Sequence, residues 1–339
     1  MTSDPVVAVF GAYGHTGRFV VAEVLRRGWT PVLAGRDGEK VAALAARYPG
    51  LQARVASIGD PASLDRALAG AAAVINCAGP FASTASAVID AALRARIHYL
   101  DVAAEVEVAS STIERYGRAA AAAGITLVPA AAFYGGLADL LATSALGDWC
   151  AADEICIAYA LDSWHPTHGT VATGEVSDAR RDGGRLVYRG GRLELRRDAA
   201  PTGQWTFPEP FGTQKVQAQF ITADSVTIPQ HVKVPEITSL MTLAPLEDLG
   251  GPRLTAPTGR RSDQVFLVEV TVRAGDEQRR AVARGRDIYA VTAPIVVEAA
   301  RRILQGPGAA AGVVTVGAMG DAAGLLRSLG SEHFSVELA

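Results

Sequence analysis

Between residues 6 and 129, short apolar runs alternate with longer stretches of helical period. Val6–Phe10 predicts a strand, and a glycine turn leads from it into a helix over Thr16–Gly28. Strand Pro31–Ala34, helix Glu39–Arg47 and a short strand at Ala53–Ala56 follow. Asp60 and Pro61 open another helix, Asp60 as its cap and Pro61 at the first helical position. Then come strand Ala73–Cys77, helix Ser83–Ala95, strand His98–Asp101, helix Glu105–Ala123 and strand Ile125–Pro129. Strand-helix-strand units with short connections predict an α/β fold, a doubly wound parallel sheet of Rossmann type with right-handed crossovers.

The pattern changes near Gly147. Thr, Val, Gly and Pro are frequent from Ile155 to Arg280, and Glu154–Leu161, Arg185–Tyr188, Gln217–Ile221, Val226–Ile228 and Phe266–Arg273 read as strands. Phe266, Val268, Val270 and Val272 alternate with more polar neighbours, which suits a sheet with one buried face. One helix is expected near Gly169–Arg180 and another at Thr292–Gln305, with Pro294 in its first turn. The chain thus divides into a first domain at 1–148, a second α+β domain, mainly antiparallel β, at 149–284, and a C-terminal segment at 285–339 that packs back on the first.

A length of 339 residues exceeds what one hydrophobic core usually supports, in keeping with two domains. Hydrophobic residues at 49% and charged residues at 20% argue against a disordered chain. A formal net charge of -3 gives no general attraction to nucleic acid. Cys77, Cys150 and Cys156 are too few and too scattered for a disulfide framework and lack zinc spacing, so no metal site is expected. Reduced thiols point to a cytoplasmic location. Val6–Phe10 has no basic segment before it and reads as a strand, not a signal peptide. The Ala-rich runs break well short of the ~20 apolar residues that a membrane span needs.

The chemistry starts at Gly11-Ala12-Tyr13-Gly14-His15-Thr16-Gly17, between the first strand and the first helix. Glycines there permit a tight turn and close approach of a pyrophosphate, and the helix N-terminus offers N–H groups to it. A dinucleotide site is therefore expected on Gly11, Tyr13, Gly14, His15, Thr16 and Gly17. The second strand ends in Arg36, where an acidic residue would favour NAD; an arginine favours the 2′-phosphate of NADP(H). Asp37 follows and should point elsewhere. Cys77, Ala78, Gly79 and Pro80 follow another parallel strand, at the end of the sheet where such cofactors bind.

Gly11-Ala-Tyr-Gly-His-Thr-Gly-Arg18, Ala34-Gly-Arg36, Val74-Ile-Asn-Cys-Ala-Gly-Pro-Phe81 and His98-Tyr-Leu-Asp-Val-Ala-Ala-Glu105 together resemble the saccharopine dehydrogenase-like NADP-dependent reductases, which include trans-acting enoyl reductases. Gly285–Val297 is similar to the lead-in to the family's C-terminal helix. The resemblance implies a Rossmann domain built from both chain ends, flanking a β-rich substrate and dimerisation domain. It implies hydride transfer with NADP(H) and a homodimer. Many relatives carry Gly-Phe-Asp-x-x-Pro-x-Asp after a late Rossmann strand. Here Ala132-Phe-Tyr-Gly-Gly-Leu-Ala-Asp139 keeps only Phe133 and Asp139 in place.

Hydride transfer often needs a proton donor beside the nicotinamide. Tyr134, His165 and His168 are the candidates, the histidines because imidazole titrates near neutrality. Asp101, Glu105, Phe133, Trp164 and Thr170 are candidate substrate contacts, although Glu105 could equally cap the following helix and Tyr134 could be a packed aromatic. The expected activity is NADPH-dependent reduction of a small imine, enamine or activated C=C bond. Alternatives are an enoyl reductase acting on a carrier-bound polyketide, docked through Arg180–Arg181 and Arg185–Arg189, or a non-catalytic NADP-binding sensor or assembly protein.

Overall fold

A computed structural model describes residues 4–250, 259–306 and 310–338. The N-terminal alternation folds as β1 (Val6–Phe10), α1 (His15–Arg26), β2 (Thr30–Gly35), α2 (Gly38–Ala45), β3 (Ala53–Val55), α3 (Pro61–Leu68), β4 (Ala73–Asn76), α4 (Phe81–Ala95), β5 (His98–Asp101), α5 (Val106–Ala123) and β6 (Thr126–Val128). After α6 (Ala138–Leu146) the second domain supplies β7 (Glu154–Leu161), α7 (His168–Arg181), β8 (Arg185–Arg189), β9 (Arg192–Arg196), β10 (Thr202–Thr206), β11 (Thr213–Ala218), α8 (Asp224–Thr227), β12 (Glu236–Thr242), α9 (Leu243–Gly250), β13 (Val265–Ala274) and β14 (Glu277–Arg286). The chain ends through α10 (Ile288–Gln305), β15 (Gly312–Val313), α11 (Ala322–Ser328) and β16 (Phe334–Glu337).

The first sheet has seven strands in the order β15-β6-β5-β4-β1-β2-β3, every pair parallel. Helices cover both faces, so β1 and β4 are apolar almost throughout instead of alternating. The strand order reverses between β1 and β4, the position where such sheets bind ligands beyond their carboxyl ends. Asp60 caps α3 by accepting from Ser63 N–H, with Pro61 at its start, as its sequence predicts.

The second sheet runs β10-β11-β12-β7-β13-β14-β16, with β12 and β7 parallel and the other neighbours antiparallel. Ile155, Ile157, Tyr159, Val268, Val270 and Val272 share one core with β1, α1 and α10. The opposite face is not left to solvent, as the alternation had suggested. Ala158, Ala160, Leu267 and Val282 are buried there with Phe207, and Trp205 and Phe211 pack beside them. The small side chains of Ala158 and Ala160 leave room there for the aromatic rings of the β10–β11 hairpin.

Three expectations need correction. Val226–Ile228 is helical, not a strand: it spans the end of α8 and the start of a 3₁₀ turn, with Val226 buried beside Val106 and Ala109 of α5 and Ile228 in the main core. The C-terminal helix begins at Ile288, because Asp287 caps it by accepting from Tyr289 N–H and Ala290 N–H at 2.9 and 3.0 Å; Pro294 then lies inside the helix rather than in its first turn. The tail does not pack wholly on the first domain. β15 extends the first sheet beside β6, but β16 pairs with β14 of the second.

α10 runs alongside α1 in the same direction. Tyr289 meets His15 at their starts, and Arg27 pairs with Glu298 further along. Val20, Val21 and Val24 of α1 and Ile295, Val296 and Ala299 of α10 are fully buried. Each such aliphatic side chain larger than alanine contributes roughly 1.5–3 kcal/mol. This packing brings the start of α10, far away in sequence, to the glycine loop.

Candidate active site

The dinucleotide end is built locally. Gly11 N–H donates to Ala34 O at 2.8 Å and ties the loop to β2. Gly14 precedes α1 without a side-chain bond to the helix's first N–H groups, which leaves those donors for a ligand. A β-carbon on Gly17 would overlap the Gly11 carbonyl oxygen and come 3.0 Å from that of Ala12, so the loop folds back on the helix only with glycine there. These features fit a dinucleotide's phosphates, with Thr16 in the same half-buried first turn.

Tyr13 lies against the end of β2 at Gly35, with the Lys40 ammonium 5.9 Å from its ring centroid. Arg36 is exposed just beyond β2. Asp37 does turn elsewhere: it caps α2 by accepting from Lys40 N–H at 3.1 Å and pairs with Lys40 Nζ at 3.1 Å. Those bonds from Lys40 hold its carboxyl below the usual range. His15 is the first residue of α1. Its imidazole accepts from Gly259 N–H at 3.2 Å and stands edge-on to Phe19 and Tyr289.

Beyond β4, Ala78 N–H donates to Asn76 Oδ1 at 3.0 Å and Thr84 Oγ1 donates to Ala78 O at 2.6 Å, which fixes the Cys77–Pro80 loop. Burial, and secondarily Asp101, push the Cys77 thiol up, so it stays protonated. Thr173 of α7 faces Gly79, placing this helix of the second domain over the loop.

The two carboxylates proposed as substrate contacts are structural. Asp101 is fully buried; it accepts from Tyr99 O–H at 2.9 Å, Ala103 N–H at 3.1 Å and Ala130 N–H at 2.7 Å. Burial raises its carboxyl above the ordinary value despite those three donors. Glu105 spends one oxygen on Phe81 N–H at 3.0 Å and the other on Ala104 N–H at 3.1 Å, and burial raises it too. Phe133 is likewise a core residue, packed between Tyr134, Tyr159 and Phe266.

At the interdomain end, the buried Tyr134 and Tyr159 and the half-buried Tyr289 differ in how their hydroxyls are used. The Tyr159 hydroxyl is bound to Asp224, a fully buried carboxylate that also accepts from Thr222 O–H at 2.6 Å. The Tyr289 hydroxyl accepts from Trp164 Nε1–H at 3.1 Å and, more weakly, from Thr167 N–H at 3.4 Å, and lies 2.9 Å from Thr170 Oγ1. Both lone pairs are then occupied by groups that can only donate, so its own proton goes to Thr170. The Tyr134 hydroxyl is buried and has no hydrogen-bond partner among the described residues. Its ring packs with Tyr159, Trp164 and Phe220 at 5.1–5.9 Å. Burial holds the phenol well above its ordinary value, with smaller contributions from Tyr289 and Asp224.

Gly135 is what turns Tyr134 into this cluster. At φ +98° the chain leaves helical geometry, and a β-carbon would sit 2.7 Å from Ala130 O. The departure from the family motif at Tyr134-Gly135-Gly136 is therefore a conformational feature.

Trp164 and Thr170 meet Tyr134 and Tyr289 as a group, whereas the histidines do not join it. His168 is exposed at the first position of α7, where Thr167 is the cap, and His165 is half-buried in the preceding loop. Tyr289, Tyr159 and Asp224 escaped the sequence reading. Asp139 binds His231 Nε2 at 2.6 Å and accepts from Gly317 N–H at 3.0 Å. The arginines considered for carrier docking are largely engaged: Arg181 with Glu107 at 2.5 and 2.8 Å, Arg180 with Ala82 O, Arg185 with Gln219 and Asp198, and Arg189 near Glu236. A cavity of about 680 Å³ lined by Asp65, Ala71, Arg94, Arg96 and His98 lies at the amino ends of β4 and β5, away from the glycine loop. Among the described residues no helix is long and apolar enough to cross a membrane, and no cluster of His, Cys, Asp and Glu could hold a metal.

Residues 7–128 match the family model described as saccharopine dehydrogenase NADP binding domain. Saccharopine dehydrogenase-like oxidoreductases of Bos taurus and Homo sapiens are each 32% identical over 152 residues, which is 40% of this chain and 35% of theirs. The match thus spans about a third of those relatives. The apo structure of saccharopine dehydrogenase (L-Glu forming) from Saccharomyces cerevisiae superposes with a TM-score of 0.69 over 99% of this chain and 100% of that one, at 11% identity, a likeness of fold.

Proposed function

We propose that this chain, whose residues 7–128 are an NADP-binding domain of the saccharopine dehydrogenase type, is an NADPH-dependent reductase in which Tyr134 serves the substrate. The substrate class is a small molecule with an imine, enamine or activated C=C bond. The observation that carries the reading is the unspent hydroxyl of Tyr134 among tyrosines whose hydroxyls are committed.

Gly11, Gly14, Thr16 and Gly17 would hold the diphosphate, and Arg36 the 2′-phosphate. The bound cofactor supplies a hydride at C4 of its nicotinamide. Tyr134 holds a proton at its hydroxyl oxygen, in an environment that disfavours the phenolate. It therefore acts first as a hydrogen-bond donor to the substrate's acceptor atom. Were that atom to become basic on reduction, the Tyr134 O–H bond would break and its proton would pass to it, and the phenolate would regain a proton from solvent once the product leaves and the site opens. Trp164 and Phe220 exclude water around that hydroxyl.

The test is Tyr134→Phe, assayed by NADPH oxidation across a panel of cyclic imines and conjugated enones. A donor role predicts a fall in kcat of roughly 10²–10⁴-fold. NADPH affinity should hardly change. Wild-type turnover retained in the variant would remove Tyr134 as donor.

A further inference from the structure

α7 has 14 residues and buries none of them. Its hold on the first domain is polar. Arg181 pairs with Glu107 at its end, Arg180 reaches Ala82 O at 3.4 Å, Thr173 faces Gly79, and Thr167 and Thr170 bind Tyr289 at its start. With no residue fully buried, and Val171, Ala172 and Val176 only half-buried, the helix draws part of its hold from these bonds.

Tyr289 connects that helix to the cofactor loop. Its ring stands 5.1 Å from the ring of His15, the first residue of α1, at an interplanar angle of 85°. Its hydroxyl gathers Trp164 Nε1–H, Thr167 N–H and Thr170 Oγ1. Asp287, fully buried, fixes Tyr289 from behind by accepting its N–H at 2.9 Å while its other oxygen takes Ser262 N–H at 2.7 Å. One side chain thus touches the start of α1, the start of α7 and a wall of the aromatic cluster.

We propose that Tyr289 is a positioning residue: dinucleotide binding at the glycine loop is passed through His15 and the Tyr289 hydroxyl to Thr170, and orders α7 over the Cys77–Pro80 loop. The reducing site is then assembled only once the cofactor is in place. This rests on the reductase reading above for its purpose, and on NADPH binding for its trigger. Phosphates drawing in the N-terminus of α1 fix His15, the ring edge of His15 fixes Tyr289, and the hydroxyl fixes the first turn of α7. Ordering a segment that is otherwise loosely held is itself a coupling free energy between the two sites.

The experiment is amide hydrogen exchange with and without NADPH on the wild-type chain, Tyr289→Phe and Thr170→Val. In the wild type, exchange should slow both over 11–17 and over 167–181, by roughly threefold or more in the latter. Tyr289→Phe keeps the ring against His15 and removes the hydroxyl. It should retain protection at 11–17 and lose the NADPH-dependent change at 167–181. Thr170→Val, which removes the acceptor for the Tyr289 proton, should do the same and serves if the first variant folds poorly. A merely structural Tyr289 would lower Tm and leave the cofactor-dependent change intact; that result overturns the proposal, as does a wild type whose 167–181 amides ignore NADPH. Absence of protection at 11–17 in the wild type would remove the cofactor reading itself and this coupling with it.

Discussion

The glycine loop and the tyrosine cluster lie on either side of His15, yet the chain encodes them differently. The loop is contiguous: the turn, the close approach and the open helix end all fall within Gly11–Gly17, and β1 and α1 flank it directly. The cluster is assembled from Tyr134 after β6, Tyr159 on β7, Trp164 before α7, Phe220 after β11 and Tyr289 on α10. A contiguous site carries its geometry in local spacing. A dispersed one exists only after the second sheet has packed on α6 and α10 has packed on α1. Substitutions should therefore act sharply and locally in the loop, and through packing and hydroxyl bookkeeping in the cluster.

The largest effect is expected where the loop has no slack. Gly17→Val places branched carbon against the Gly11 and Ala12 carbonyls. NADPH affinity should fall at least ~100-fold, since the carbonyls must move away from the helix end that receives the phosphates. Fluorescence titration with NADPH measures it, with circular dichroism to confirm that the sheet persists. Binding within threefold of wild type would mean that the phosphates do not sit at this turn.

Arg36 sharpens the same comparison, because its effect should be confined to one phosphate. Arg36→Ala should weaken NADPH roughly 10–100-fold, the worth of hydrogen bonds to a charged group, and leave NADH nearly unchanged. Asp37 offers no rival contact, both its oxygens being spent on Lys40. Lys40 is a second cation at the same edge, and its survival in the variant sets the residual preference. Equal losses for both cofactors would assign Arg36 to the surface alone.

The legibility of the sequence follows the same division. Strand and helix alternation, the Asp60 cap and the turn of the glycine loop could all be read because each depends on residues within a few positions. Strand β14, Glu277–Arg286, was hidden by its arginines, although Ala281, Val282 and Ala283 in its middle are fully buried. Val226–Ile228 looked like a strand because its β-branched residues fit either state, and the packing of Val226 on α5 and of Ile228 in the main core is a tertiary feature. In the candidate site, Tyr134, Trp164 and Thr170 were found from local oddity. His165 and His168 attracted attention by chemistry; the first is half-buried in a loop and the second exposed at the start of α7. Tyr289 had no local signal, because its role comes from α10 lying beside α1.

Asp101 tests the boundary between the two regions. It looked catalytic because it is an acid at the end of a parallel strand, but its bonds to Ala103 and Ala130 N–H hold the turn that leads to Tyr134. Burial raises its carboxyl in the folded state. A raised group contributes stability that is fully present below the unfolded value, about 3.9, and is lost as pH rises through the folded value. Asp101→Asn keeps an acceptor for both N–H groups and cannot ionise, but deprives Tyr99 O–H of its carboxylate partner. The variant should be less stable than wild type by roughly 1 kcal/mol near pH 4, the net worth of one such bond. That gap should narrow as pH climbs to 7, because only the wild type must then either bury a charge or keep a proton that its unfolded chain releases. Urea unfolding at several pH values reads the difference, with Asp224 common to both proteins and Glu105 altered only by losing the charge of Asp101 beside it. A gap that widened with pH would mean that the ionised carboxylate is the favoured folded form, and would return Asp101 to the list of groups available for chemistry.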